Sequence, residues 1–572
     1  MRRNFLSQPR INSERLSDVA TTAIIAAWLL SALRLVSKFG FNYDEVFFVN
    51  AATDGLTNPS DSLFVRRRLF GFPVLLMDYI GALKAWLYVP IFAAFDPTVW
   101  SVRIPNLVFG ATGIWISTRT LRGYGATYLR PALALILASA VTPTLLLTFD
   151  FGPVAIAFVL QALMLVVLVR VSRLPNHKRL PSLVIGIVAG FLGVFNKLDF
   201  LIFALPYLVM LFYFSMPATI KFIRDKPGPS GVVFGTCALF ASAITSYMLL
   251  PSRTVTGGGR LPGLAELHGT ASQLNDFLAG RAFTQFISFR PEQGPWLAIL
   301  VSVSMLPAFV RLLARTSHRL SHHTSSGRHD ALDASATLTL LLGGSLVILS
   351  LTESAQRPWH LMTIWPLLPV TAALALQDTL VRRRNFGGSE PRDRSRPMDV
   401  LIIASLLAGV VSLFFGVRTL EGYQFASDRE PISLFWSDRS DELASALVAA
   451  ADARDTHIVA YTSHWGISKA HFVGKDDVTL IDSWPWFSGD DLEVISSKLE
   501  WTLSNWVSSD NSPSDVVLIE ISAGASESLS PQTTTDQSTQ ASERVRAWCN
   551  SGDEPLLEFG DIVIWELPCL GP

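Results

Sequence analysis

Three cysteines in 572 residues, and charge at only 16% of positions, define this chain by what it does without. Three thiols allow one disulfide at most, so no disulfide framework holds the fold. Cys237 sits inside an apolar stretch and reads as packing, while Cys549 and Cys569 leave one bridge open. Metal and nucleotide signatures are also poor. His318, His322, His323 and His329 fall in a Ser-rich stretch without the carboxylate or Cys spacing of a dedicated metal site. Gly257-Gly258-Gly259 follows no strand and reads as a hinge, not a phosphate cradle. Charge is scarcer than the roughly 25% of soluble domains. What fills the space is apolar: half the residues are hydrophobic and the mean hydropathy is +0.37.

Apolar windows of about 17–21 residues, long enough for a membrane span, recur through the first 420 residues. They lie at 18–36, 103–121, 131–149, 152–171, 180–196, 198–216, 230–250, 295–314, 332–351, 359–377 and 398–417. The expectation is a mainly α, polytopic membrane protein of about eleven transmembrane helices. The first stretch is long and lacks a small-residue cleavage site, so it is expected to stay as a span.

The net charge of −1 hides a division. From residue 419 onward there are 8 Lys/Arg against 26 Asp/Glu, which leaves 38 against 21 for residues 1–418. The basic residues alternate along the membrane part. Arg2, Arg3, Arg10 and Arg15 form one group, Arg119, Arg122 and Arg130 the next, then Arg170, Arg173, Lys178 and Arg179. Lys221, Arg224 and Lys226 follow, then Arg311, Arg315, Arg319 and Arg328. Last come Arg382 to Arg384 with Arg392, Arg394 and Arg396. The positive-inside rule places these six segments in the cytoplasm. The alternate loops and the acidic C-terminal region then lie outside.

Nearly all the other ionisable groups near helix ends fall on that outer side. They include Asp44-Glu45, Asp150 before Phe151-Gly152-Pro153, the Asn196-Lys197-Leu198-Asp199 turn, a loop at 251–293, and Glu353 to His360. Charge at the mouth of a membrane bundle is costly and usually marks a substrate path or a catalytic site. A single outward polar cavity is expected. The stretch Phe70 to Tyr88 is apolar and aromatic, broken by Pro, Gly and Lys, which suits short helices lying in the interface. Reading 77–95 as a further span would invert every later loop and break the charge pattern.

These motifs resemble the GT-C fold of integral-membrane glycosyltransferases. The nearest branch is that of the protein O-mannosyltransferases and the lipid A aminoarabinose transferases. The resemblance covers about residues 15–420. It rests on Asp44-Glu45 at the head of a long outer loop, the stretch 79–84 (Tyr-Ile-Gly-Ala-Leu-Lys), and Val102-Arg103-Ile104-Pro105. Asp150-x-Gly152-Pro153, the 196–199 turn, and Arg357-Pro358-Trp359-His360 leading to Trp365-Pro366 complete it. Some relatives place an Arg soon after the acidic pair; here Val46-Phe47-Phe48 follows.

The resemblance implies a polyprenyl-phosphate-linked sugar as donor and a lipid, glycan or protein as acceptor, with inversion at the anomeric carbon. Such a reaction needs a carboxylate to take the acceptor proton and positive charge on the departing phosphate. Asp44 is the expected base, and Glu45 orients the acceptor or raises the proton affinity of its neighbour. Arg66, Arg67 and Arg68 form a basic run suited to an anionic headgroup. Lys84 stands alone among interfacial aromatics and needs an anion or a snorkelling exit. Lys197, Asp199, Arg357 and His360 are further substrate-binding candidates. Asp150 is the second carboxylate, with capping of the helix from Gly152 as its plain alternative. No cofactor is called for, though a divalent cation stays open, and no nucleic-acid partner is expected. The rival class is a polytopic transporter or lipid-linked-sugar flippase, for which internal repeats or broken helices with a midplane charge are the marks.

The expected division is a cytoplasmic segment 1–17, a membrane domain 18–418 with its outer loop at 37–100, and a soluble α/β domain 419–572. Strands are expected at Thr456 to Thr462, Val478 to Asp482, 515–521 and Leu556 to Leu567, the last turning at Gly560-Asp561. Helices are expected at 441–453, 490–506 and 541–549, which makes an α/β alternation. The Ser/Thr/Gln-rich stretch 522–542 reads as an insertion. Aromatics at 461–466 and 482–486 suit either sugar contact or packing. The whole is expected in the cell membrane, with the active site and the C-terminal domain outside.

Overall fold

The computed structural model describes residues 8–225 apart from short breaks, then 272–281, 334–350, 358–386, Arg418 and the strands within 457–566. The expected spans 230–250, 295–314 and 398–417 lie outside the described residues. So do the three C-terminal helices, the three cysteines, the histidines at 318–329, Gly257 to Gly259, Arg66 and Arg357.

The membrane part is helical. Helices α1 (Gln8–Leu33), α4 (Val99–Arg122), α7 (Val154–Val171), α8 (Arg179–Asn196) and α9 (Leu201–Asp225) are its long members. Among the described residues, four stretches are long and apolar enough to cross a membrane: Glu14–Leu33, Val154–Val171, Arg179–Asn196 and Leu198–Met216. The chain is a multi-pass membrane protein. The last two spans meet at a turn over Leu198–Phe200, as the lone Lys197 between two apolar runs implies. One core runs through them, from Trp28 of α1 through Phe158 of α7 and Tyr207 of α9 to the fully buried Trp365. Small residues let the helices approach: a Cβ on Gly113 of α4 would lie 2.3 Å from the Phe158 ring.

The window 131–149 is not one span. It forms α5 (Arg130–Ser139) and α6 (Val141–Phe149), bent by 70° at Ala140, whose ψ of 113° is extended. Pro143 is the cause. It has no N–H for the Ser139 carbonyl, and its ring would collide with that carbonyl in a continuous helix. The mark of a transporter is such a break with a midplane charge. The residues around the break are Thr142 and Thr144, not charges, and Trp28 donates to the Thr144 hydroxyl at 3.0 Å. Beyond the gap at 226–271, 272–278 is helical, so part of the expected 251–293 loop is structured. Phe277 there packs on Trp365, with ring centres 5.8 Å apart. Helices α10 (Ala334–Ser350), α11 (Pro358–Leu361) and α12 (Leu367–Phe386) follow.

The stretch after α2 (Tyr43–Thr57) departs from the all-helical expectation. Strands β1 (Arg67–Leu69), β2 (Phe72–Met77) and β3 (Ile80–Gly81) form an antiparallel sheet in chain order, and only then does α3 (Leu83–Phe92) begin. Ten residues at 1.5 Å each reach about 15 Å, half the hydrocarbon thickness. A span at 77–95 is therefore ruled out. The sheet is tied to the α8–α9 turn by the Ile80–Lys197 bridge and by Leu198 N–H donating to the Tyr79 carbonyl at 2.8 Å. Gly81 makes this approach workable, since any Cβ there would lie 1.9 Å from the Phe195 carbonyl oxygen.

Charge separates the two ends of the bundle. Arg130 pairs with Asp18 and Arg122 lies 3.9 Å from Glu14, which gathers the start of α1, the end of α4 and the start of α5 at one end. The remaining buried pairs sit at the opposite end of these helices.

In the C-terminal region, β4 (His457–Thr462), β5 (Val478–Asp482), β6 (Val516–Ala523), β7 (Leu557–Phe559) and β8 (Ile562–Glu566) make a five-stranded sheet. Its order is β5-β4-β6-β8-β7, parallel for the first three strands and antiparallel at the β8 and β7 edge. All the expected strands are present. Parallel neighbours need crossovers of a dozen residues or more, and the gaps between β4, β5 and β6 are long enough.

Candidate functional site

Four elements converge at the end of the bundle away from Arg122: the start of α2, the start of α3, the α6–α7 turn and the α8–α9 turn. Asp44 and Glu45 open α2, where carboxylates complement the exposed N–H groups of the first turn. Adjacent residues of a helix point about 100° apart, so the two acids face different surroundings.

Glu45 faces inward and is fully buried. Its two oxygens accept from Nε and Nη2 of Arg103, each at 2.7 Å. The same guanidinium donates through Nη1 to the Val36 carbonyl after α1, and it lies 4.7 Å from the Phe149 ring. This pair therefore joins α1, α2, α4 and α6. Arg103 is a residue that the sequence offered only as part of a motif. Its partner stands 58 positions away, beyond any local pattern.

Asp44 is half-buried, with Lys197, Lys84 and Asp150 near its carboxyl. Burial pushes its pKa up to about 6, against the pull of Lys197 and Lys84, with Asp150 adding to the rise and a backbone hydrogen bond from Gly152 opposing it. The carboxylate that raises Asp44 is thus Asp150 rather than the expected chain neighbour. Gly152 has φ +70°, the left-handed region open to glycine. A Cβ there would stand 2.7 Å from Lys197 Nζ and 3.6 Å from Asp44 Oδ2. Both groups thus face the space that the missing side chain of Gly152 leaves open.

Lys84 and Asp150 form a buried ion pair, Nζ to Oδ2 at 2.7 Å. The ammonium also lies 4.4 Å from the centre of the Phe48 ring and 5.2 Å from that of Tyr88. The angles do not make the pair a directed hydrogen bond, and the N–H groups of Lys84 have no acceptor among the described residues. Asp150 ends α6 with φ 46° and ψ 53°, and its Oδ1 accepts from the Ala155 N–H at 2.7 Å. Capping of α7 and pairing with Lys84 are both present, one on each oxygen.

Lys197 and His360 meet on one oxygen. Asp199 Oδ2 lies 3.2 Å from Lys197 Nζ and 2.6 Å from His360 Nδ1. Asn196 holds the turn by donating to the Pro153 carbonyl at 2.9 Å. Arg67 and Arg68 stand on β1 opposite Leu75 and Pro73. Arg66 and Arg357 lie outside the described residues. Of the expected site residues, Asp44, Lys84, Asp150, Lys197, Asp199 and His360 are thus brought to one end, with Glu45 just beneath. Among the described residues no three of His, Cys, Asp and Glu gather to hold a metal ion.

No protein-family model matches the chain, and no curated protein matches it. Solved structures do. ArnT from Cupriavidus metallidurans, bound to undecaprenyl phosphate, shares 11% identity at a TM-score of 0.50, over 95% of this chain and 97% of that one. The chain has the GT-C fold of membrane glycosyltransferases. The same ArnT in its apo state gives 10% identity and a TM-score of 0.49, covering 96% and 98%. The Archaeoglobus fulgidus oligosaccharyltransferase in the apo form gives 12% and 0.45, over 88% of this chain and 69% of that one.

Proposed function

We propose that this GT-C protein is an inverting glycosyltransferase that moves a hexose or pentose from a polyprenyl-phosphate-linked donor to a lipid, glycan or protein acceptor on the extracytoplasmic face. The observation that carries the reading is the setting of Asp44. It is a carboxylate with a raised pKa, beside two buried lysines, at the end of the bundle opposite the basic loops.

The acceptor hydroxyl oxygen attacks the anomeric carbon, and the bond from that carbon to the phosphate oxygen breaks. The hydroxyl proton passes to Asp44, and the polyprenyl phosphate leaves with the electron pair. A base of pKa about 6 is ionised at neutral pH and still basic enough to accept that proton. Lys84 and Lys197 supply positive charge where the leaving oxygens gain negative charge. Lys84 suits this role because, among the described residues, its ammonium makes an ion pair with Asp150 but no directed hydrogen bond. Glu45 anchors α2 through Arg103 and so holds Asp44 in place. Arg66, Arg67, Arg68 and Arg357 are assigned to the donor headgroup. No step runs through a metal ion.

The transporter reading draws on the broken α5–α6 segment, but that break carries threonines rather than a charge. The domain reading keeps residues 1–17 inside, 18–418 as the catalytic membrane domain and 419–572 as an outer α/β domain. A panel of polyprenyl-phosphate sugars offered to the purified protein in membranes tests the proposal. Release of polyprenyl phosphate with sugar on an acceptor supports it. Movement of intact donor across the bilayer without cleavage sinks it.

A further inference from the structure

His360 comes to this cluster across 161 positions of sequence, through its contact with Asp199. It stands on α11, a single turn of four residues, with its side chain buried. Its Nδ1 lies 2.6 Å from Asp199 Oδ2. The same oxygen lies 3.2 Å from Lys197 Nζ. The shorter contact is the imidazole's, and the ammonium is held at the long end of a hydrogen-bond distance.

The backbone of Lys197 leaves little freedom. It is extended, with φ −159° and ψ 131°, and bridged to Ile80 of β3. What can still move is the ammonium at the end of its four-carbon stem. Two carboxylates compete for it, Asp199 at 3.2 Å and Asp44, which shares with it the open space at Gly152. An Asp199 with no other partner would draw the ammonium into a tight pair and away from Asp44. A carboxylate oxygen already occupied by a strong donor attracts a second cation less.

We propose that His360 and Asp199 are positioning residues for Lys197: by sharing one carboxylate oxygen between imidazole and ammonium, they keep the Lys197 cation poised between Asp199 and Asp44 instead of closed on Asp199. Asp44 then keeps the pull of a second cation beside that of Lys84. The role of Asp44 as base rests on the function proposed above; the placement of Lys197 does not.

The charged groups facing Asp44 are Lys84 from α3, Asp150 from the end of α6 and Lys197 from the α8–α9 turn. Only the last should respond to changes at His360. The protonation midpoint of Asp44 can be read without turnover, as the carboxylic C=O infrared band that disappears in Asp44→Asn. In His360→Ala the ammonium moves toward Asp199, so this midpoint should rise by about one unit, since a departing cation no longer favours the ionised form. His360→Asn should restore it, because the Asn amide can donate from about the place of Nδ1. In a turnover assay His360→Ala should lower kcat by about 10-fold, and its acid limb should move up by the same amount as the infrared midpoint. An unchanged or lowered midpoint in His360→Ala, in a protein that stays folded, overturns the proposal even where kcat falls. If the wild type turns over no sugar donor, the proposed function fails, and the infrared midpoints still decide the placement of Lys197.

Discussion

Arg103 closes on Glu45 through two hydrogen bonds of 2.7 Å, in a place where neither side chain meets solvent. The fork geometry of a guanidinium fits both carboxylate oxygens at once, which a lysine cannot do. A third donor of the same group holds the Val36 carbonyl, so one side chain fixes the end of α1 against the start of α2. The adjacent acids are thereby divided: Glu45 is bound to the scaffold and Asp44 is left facing the cluster.

Removing either partner should cost stability more than chemistry. Arg103→Ala takes the guanidinium away from the buried Glu45 carboxylate, a loss of about 3–5 kcal/mol. Arg103→Lys should recover only part of it. Thermal unfolding of the purified variants in detergent measures this directly. A loss under about 1 kcal/mol would mean that the pair does not hold α2.

Asp44 should behave in the opposite way. Asp44→Asn keeps the shape and the hydrogen bond from Gly152, so folding and donor binding should survive while turnover falls by roughly 10²–10⁴-fold. The pH dependence follows from its raised pKa of about 6. A base acts in its ionised form, so the rate should fall as pH drops through about 6 and level off above about 7. The same carboxyl sits above the ordinary Asp value of 3.8, so its protonated form is the one that folding favours. Its own contribution to stability therefore grows as pH falls below about 6. Activity and this part of stability should diverge in that range. An acid limb at the ordinary Asp value would remove Asp44 as the base.

Sidedness can be tested away from the site. The Arg122–Glu14 and Arg130–Asp18 pairs mark one end of the bundle, and the positive-inside reading assigns the six basic segments to the cytoplasm. Single cysteines placed in 382–397 or 311–330 should resist a membrane-impermeant thiol reagent applied from outside. Cysteines in 251–293 or the C-terminal region should react. Outside labelling of the first pair of segments would reverse the topology and place the lysine cluster in the cytoplasm.

Much of this was legible in the sequence. Long apolar windows gave α1, α4 and α7 to α9, because a span needs only length and apolarity to be seen. The C-terminal strands were legible from short β-branched runs such as 516–523 (Val-Val-Leu-Ile-Glu-Ile-Ser-Ala). The sheet at 67–81 was not, because strands β2 and β3 are apolar on both faces and lack the alternation that separates strand from helix. The bend at Ala140 was missed for a different reason: hydropathy is blind to Pro143, which breaks the helix without making it polar. Within the site, residue types and sidedness picked out Asp44, Lys84, Asp150, Lys197, Asp199 and His360. The pairings could not be read, since Glu45 with Arg103 and Asp199 with His360 join positions 58 and 161 apart. Chain neighbours suggested that Asp44 and Glu45 act on each other. The helix turns them apart.

Lys84 poses the sharpest test, because two roles are superposed on it. It neutralises the buried Asp150 at 2.7 Å, and among the described residues it makes no directed hydrogen bond, which leaves N–H groups for a donor phosphate. Lys84→Ala should lower turnover by about 10-fold or more, as removal of one such electrostatic contact does. It should also destabilise the fold, since Asp150 is left as an uncompensated charge. These two losses can be separated by a second change. Asp150→Asn in the Lys84→Ala background removes the orphaned charge while its side-chain oxygen can still accept from Ala155 N–H. The double variant should therefore regain most of the stability and none of the turnover. Lys84→Arg keeps the charge with altered geometry and should give intermediate rates. Alanine changes at Arg67 and Arg68 serve as the control, weakening donor affinity in a way that high salt diminishes. Recovery of turnover along with stability in the double variant would show that Lys84 serves Asp150 alone, and the phosphate would then have to be held by Lys197 or by the arginines of the outer loop.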